Sequence, residues 1–282
     1  MKKRPCLVVS ALIAGVGFLF PVIVCGGGIG VSLSIVTLDL TETIAKVPVA
    51  AGDAFTEVEG ALADLGMPPQ DLAALEAEFD QALSGIEEAL EEFPTLLPIP
   101  HLGASIEFSL PFVVIDGLRF SGGILNHQIL RGIGDLFGFD IPQPLLDVEI
   151  EEDGFEASFT ADFSFSSFIL STDLLKRLDF VIGGIDFGLG LDVTLGRIAP
   201  EVTYQVPPEF EDGTEAALAA LHLDQVYWSA FGIHGLVGFE LGPPFLRLFA
   251  EVRFFLPVSQ SSGWWGIGVG SLAGDLGLVI RF

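Results

Sequence analysis

Ionisable side chains recur along this chain at a spacing that constrains what they can do. Glu107, Glu156, Asp162, Asp186, Asp192, His234, Glu240, Arg247, Glu251, Arg253 and Arg281 each stand in a stretch where apolar and polar residues alternate. Each therefore falls on the strand face opposite an apolar row. If that face is enclosed, its charges must pair, because breaking a buried ion pair leaves a costly lone charge. Arg247, Arg253 and Arg281 are expected to bridge the carboxylates. Arg247, Glu251 and Arg253 share one face of one strand, which reads as a charge ladder. This is the chemistry of a filled interior more than of catalysis. The four histidines, His101, His127, His222 and His234, show no metal-ligand spacing such as HExxH. None has a serine two residues away, the arrangement that would seat a nucleophile and base side by side on a strand. Gly266–Ser271 is glycine-rich but lacks the lysine of a phosphate loop. No catalytic, metal or cofactor set emerges, and the expectation is a protein that is not an enzyme and carries no cofactor.

The elements that would hold these charges are long alternating strands. In residues 155–166, Phe155, Ala157, Phe159, Ala161, Phe163 and Phe165 alternate with polar residues, which predicts one strand with an apolar outer face. The same pattern recurs at 105–114, 185–195 and 231–241, and again from Leu246 to Leu256. Stretches of about ten alternating residues suit a tilted membrane strand. Half of the residues are hydrophobic, 18% are charged, and mean hydropathy is +0.61, yet beyond the N-terminus no clean apolar run reads as a spanning helix. Since only helices and closed barrels satisfy every backbone group in a bilayer, the pattern predicts an antiparallel transmembrane β-barrel of about 8 to 10 strands. The many phenylalanines, with Tyr227, Trp228, Trp264 and Trp265 near strand ends, fit interfacial girdles.

The ends of the chain read differently. Residues 1–28 form a signal segment: Lys2, Lys3 and Arg4, the apolar stretch Leu7–Val24, then Gly26, Gly27 and Gly28 as a cleavage region. Cys25 is a candidate for lipidation, and with Cys6 it completes the cysteine count, so the exported part has no internal disulfide. Residues 29–100 are expected to be an N-terminal region carrying two amphipathic helices. Phe55, Val58, Leu62 and Leu65 stripe the first. Leu72, Leu75, Phe79, Leu83, Ile86, Leu90 and Phe93 stripe the second, with Asp71 as its N-cap. No Lys or Arg occurs between Asp53 and Phe93, and the net charge of −26 excludes nucleic acid as a partner. Residues 101–282 are the expected barrel.

The last segment, GDLGLVIRF, places Leu276, Leu278, Ile280 and Phe282 on one face. It resembles the C-terminal assembly signal of bacterial outer-membrane β-barrel proteins, a closing amphipathic strand that ends on an aromatic residue. The resemblance implies export to the bacterial outer membrane, with outer-membrane lipid and the assembly machinery as partners. Helices ahead of a barrel also give a likeness, in architecture alone, to the outer-membrane long-chain fatty-acid transporters. The leading expectation is a structural or passive-transport, porin-like role for small or apolar solutes. Two alternatives remain: a soluble periplasmic barrel holding an apolar ligand, and an adhesin that binds a partner through the acidic helices.

Overall fold

The computed structural model describes residues 7–9, 22–24, 26–129, 131–132, 146–152, 155–223 and 226–282. Two short strands, Leu7–Val9 (β1) and Val22–Val24 (β2), pair with each other. Most of the expected signal segment lies outside the described residues. The main body comprises β3 (Gly27–Asp39), β4 (Leu96–Ser109), β5 (Gly117–Asn126), β6 (Leu146–Glu152), β7 (Phe155–Phe180), β8 (Gly183–Gln205), β9 (Tyr227–Leu241), β10 (Leu246–Ser262) and β11 (Gly268–Arg281). Each strand pairs antiparallel with its neighbour in the order β5-β4-β3-β11-β10-β9-β8-β7, and β5 pairs with β7, which closes an eight-stranded ring. β6 lies outside this ring and extends β7 on one side.

The ring takes its first strand from the region placed ahead of the barrel, where Val31, Leu33 and Ile35 alternate with serines. Gly27–Asp39 is a full barrel strand between β4 and β11, although it precedes the helices and overlaps the end of the expected signal segment. The barrel therefore comprises residues 27–39 together with 96–282, not 101–282 alone. A cut within Gly26–Gly28 still leaves this strand nearly whole.

The two ends of the barrel are unlike. At one end the connections are short. Val181 and Ile182 join β7 to β8, and residues 242–245 join β9 to β10, with Gly242 at a φ of 129° that a side chain would strain. Residue Phe282 also lies here, its N–H and carbonyl bonded to Gly27 at 2.9 and 3.1 Å. The other end carries long insertions. Between β3 and β4 come α1 (Thr41–Asp64) and α2 (Pro69–Glu91). Between β8 and β9 comes α3 (Pro208–Ala220).

The helices are thus an insertion between two paired strands. Asp39 faces Leu96 in the ladder, and Leu40 N–H donates to the Thr95 carbonyl at 2.8 Å, so the chain leaves and re-enters the barrel through a narrow neck. α1 begins earlier than its apolar stripe suggests, because the Asp39 carboxylate accepts from the Thr41 N–H (3.0 Å) and hydroxyl (2.6 Å). α2 starts at Pro69, ahead of the expected Asp71 cap, since proline at the first helical position gives up only a donor that would be unpaired anyway. Phe55 stacks on Phe79 at 4.0 Å between the two helices.

At 26 and 23 residues, β7 and β8 are longer than a bilayer crossing requires. Their far halves, joined by β6, form a three-stranded extension beyond the barrel on the loop side. This length explains a reversal of faces. Along β7 the outward residues within the ring are Phe168, Leu170, Leu174 and Leu178. An unbroken ladder carries that parity back so that Phe165 points inward, 5.6 Å from the Trp228 ring, while Ser164 and Ser166 are exposed. The apolar face predicted for residues 155–166 is therefore not the outer one where the strand enters the ring.

Candidate functional site

The barrel interior concentrates the charges. Going inward from the short-turn end, Glu240 accepts from Arg281 (2.6 Å) and Arg247 (2.9 Å), and Arg247 also reaches Asp179 at 2.6 Å. Arg177 donates two parallel bonds to Glu107 (2.8 and 3.0 Å) and its Nε–H to Asp186 (2.9 Å). One layer deeper, Arg119 donates a fork to Glu251 (2.5 and 2.7 Å) and its Nε–H to Asp173 (2.7 Å). Planar guanidinium groups suit such bidentate bonds. His234 lies between two carboxylates, with Nε2 2.6 Å from Asp173 and Nδ1 2.9 Å from Asp192. Arg253 reaches Asp275 (2.8 Å) and the Ser171 hydroxyl (2.7 Å), and Ser34 donates to Asp275.

Alternation on each strand sends these side chains inside, and antiparallel registry stacks them in layers. Above them, His101 Nε2 lies 2.8 Å from the Ser167 hydroxyl while its Nδ1 faces the Ile99 carbonyl at 3.1 Å. This brings serine and histidine together from different strands, which spacing within one strand does not reveal. Both are buried, and among the described residues no carboxylate orients the imidazole. Beyond them the interior becomes apolar, with Val36, Leu38, Leu125, Phe165, Trp228, Phe255, Ile267 and Val269 packed together. A small interior cavity lined by Ser34, Ser121, Ser171, Asp192, Arg253 and Asp275 has a volume of about 30 Å³, room for a water or two.

Most sequence-predicted lumen residues join this network: Glu107, Asp186, Asp192, His234, Glu240, Arg247, Glu251, Arg253 and Arg281 all lie inside. The ladder along one strand is not what forms, since Arg247, Glu251 and Arg253 each pair with carboxylates or cations on other strands. Asp162 lies on the even-numbered face of β7, opposite Asp173, and accepts from the Phe163 N–H at 2.8 Å. Glu156 is in the extension, paired along the backbone with Glu151; its side chain lies outside the described part. Both misplacements follow from the reversal of faces on β7. Arg119, Asp173, Arg177 and Asp275 were missed. Asp275 shares the parity of Arg281, and Arg119 stands between Leu118 and Phe120, so alternation could have located both.

The outer surface is the complement of this interior. Ile29, Val31, Leu102, Ile106, Phe120, Leu170, Leu174, Leu189, Leu191, Ile233, Phe239, Leu248, Val252 and Phe254 are exposed around the ring. The C-terminal Leu276, Ile280 and Phe282 are exposed on the same surface, with Leu278 between them. A soluble barrel with an apolar ligand inside needs the reverse arrangement. The loop-end rim carries Tyr227, Trp264 and Trp265. Trp228, expected in a girdle, is instead 2% exposed and fills the interior, since its neighbours Tyr227 and Ser229 take the outward positions.

The helices dock on this rim. Lys46 donates to the Trp264 carbonyl, pairs with Glu42 at 2.5 Å, and lies 5.4 Å from the Trp264 ring centre. Trp264 stacks on His222 at 4.6 Å, and Trp265 Nε1–H donates to the His222 carbonyl at 3.3 Å. α3 packs against α1, close enough that a Cβ at Gly213 would come within 2.5 Å of the Ala61 Cβ. α2 has no buried residue.

No protein-family model matches this chain, and no curated protein matches it in sequence. Among solved structures it is similar to Ail, the attachment invasion locus protein of Yersinia pestis, in complex with the heparin analogue sucrose octasulfate. That match has a TM-score of 0.38 and 9% identity, and covers 91% of this chain and 99% of that one. It is also similar to Neisserial surface protein A, with a TM-score of 0.32 and 9% identity over 90% of this chain and 95% of the other.

Proposed function

We propose that this protein is a bacterial outer-membrane barrel that acts as a sealed anchor and presents its acidic helices on the cell surface. The carrying observation is the inversion of ordinary burial: large apolar side chains are exposed around a closed ring while buried ion pairs fill its axis. A water-facing surface with so extensive an apolar belt would aggregate, whereas a lipid-facing one is at its minimum of free energy. On β8 the outward residues are apolar from Ile185 to Leu195, about the span of one tilted crossing. Barrels of this class place short turns on the periplasmic side and long loops outside. α1, α2 and α3 then stand on the outer surface, and neither plug the barrel nor hang beneath it.

The filled axis supports anchoring over passive transport. A solute would have to displace the Arg119, Arg177 and Arg253 networks and then the apolar layer around Trp228. Partner binding through the helices is favoured by α2, whose apolar stripe is only partly covered and whose flanks carry carboxylates without a Lys or Arg. The outer-membrane assembly machinery would be the partner that installs the barrel.

The test is expression in a bacterium with an outer membrane, followed by membrane separation and gels run with and without boiling. Recovery in the outer-membrane fraction with a mobility shift on heating is expected. Recovery in the soluble periplasm without a shift overturns the reading. In planar bilayers the folded protein should give no steady conductance, and a stable open channel would restore the transport role.

A further inference from the structure

A groove of about 550 Å³ lies on the outside of the barrel, across β5, β7, β8 and β9 near the loop end. The strand register places its walls in two rows. Toward the loops run Asn126, Ser166, Arg197 and Tyr227, which are direct cross-strand partners in sequence around the ring. One step toward the middle of the barrel run Ile124, Phe168, Leu195 and Ser229, again partners. The groove is thus amphiphilic along the strand direction, polar and cationic above, apolar below.

It also lies where the lipid-facing belt of β8 ends, since Leu195 is the last outward apolar residue and Arg197 the next outward position. The floor between the two rows is sheet backbone at Gly196, against which the ring of Trp228 packs from inside, where a Cβ would come within 1.9 Å. Arg197 is exposed and makes no hydrogen bond or ion pair among the described residues. The outward carboxylates on the same strands, Asp162 and Glu201, lie two rows further toward the loops, about 13 Å along the strand. In a protein of net charge −26, an outward cation at this height with no partner among the described residues is open to an anion at the membrane surface.

We propose that this groove is a binding site for one anionic membrane lipid, with its headgroup phosphate on Arg197, hydrogen-bonded by the Ser166, Asn126 and Tyr227 side chains, and an acyl chain on Ile124, Phe168 and Leu195. The site rests on the membrane reading above. Charge complementarity selects an anionic headgroup over a zwitterionic one, and the row of apolar side chains selects a lipid over free phosphate.

The test uses the full chain folded into phosphatidylcholine vesicles, with the heat-modifiable gel shift checked first. Spin-labelled phosphatidylglycerol and spin-labelled phosphatidylcholine are then compared for the motionally restricted fraction. The wild type should favour the anionic probe several-fold. Arg197→Gln should abolish the preference, and Ser166→Trp, which fills the groove without touching the charge, should weaken it. Lys176→Gln, at the opposite end where Lys176 already pairs with Asp116, should leave it unchanged. Equal restriction of both probes, a preference that survives Arg197→Gln, or full competition by millimolar inorganic phosphate would each overturn the site. Absence of the gel shift would instead remove the membrane reading, and the lipid site with it.

Discussion

Arg119 offers the sharpest quantitative test of the interior. The residue is 6% exposed, and its guanidinium neutralises two carboxylates on different strands, Glu251 through two bonds and Asp173 through one. Arg119→Met keeps much of the volume and removes the charge. Asp173 retains His234 at 2.6 Å, but Glu251, 4% exposed, bonds no other cation among the described residues. Removing one partner of a buried pair typically costs about 3–5 kcal/mol, most of it the stranded charge. The double variant Arg119→Met with Glu251→Gln removes one charge of each sign and should recover more than half of that loss. The assay is urea unfolding of the protein in phospholipid vesicles, followed by tryptophan fluorescence and by the unboiled gel. A single variant within about 1 kcal/mol of wild type, or a double as unstable as the single, would refute the claim that these pairs carry the interior.

Other perturbations probe the remaining surfaces. Leu189→Arg, at a side chain 66% exposed midway along the β8 belt, should destabilise the vesicle-folded protein by about 2–4 kcal/mol; an effect within about 0.5 kcal/mol, normal for a water-facing site, would contradict a lipid-facing one. Gly196→Val should cost about 1–3 kcal/mol by driving a side chain into the Trp228 ring, read as a lowered urea midpoint with altered tryptophan emission. Replacing residues 40–95 by a two-residue Asn-Gly turn should leave the gel shift intact, because Asp39 and Leu96 are already paired. Loss of the shift would mean that the helices are needed to close the ring.

Much of this architecture could be read directly from alternation. Strands β8 to β11 and their inward charges follow from a period of two, and the two helices follow from the stripes at 55–65 and 72–93. Three things resisted. Gly27–Asp39 abuts an apolar leader, so its alternation of Val31, Leu33 and Ile35 with serines merges into a continuous hydrophobic signal. β7 carries apolar residues on both faces at Phe165 and Phe168, one set for the core and one for the outer surface, so parity could be fixed only from the far half of the strand. The partners of each charge are a matter of register between strands, and Arg119 meets Glu251 across 132 residues of sequence that no local pattern connects.

Pairing of β3 with β11 has a kinetic meaning. The bond between Ser34 and Asp275 spans 241 residues, so the seam joins the ring strands that are first and last in sequence order. Until β11 pairs, the free edge of β3 is an open template for pairing with any other strand. Closure is the step with the greatest loop entropy and the one least able to proceed early. A chain stopped short of β11 would keep two unpaired edges, which makes the last strand the natural place for quality control to inspect whether the molecule is finished.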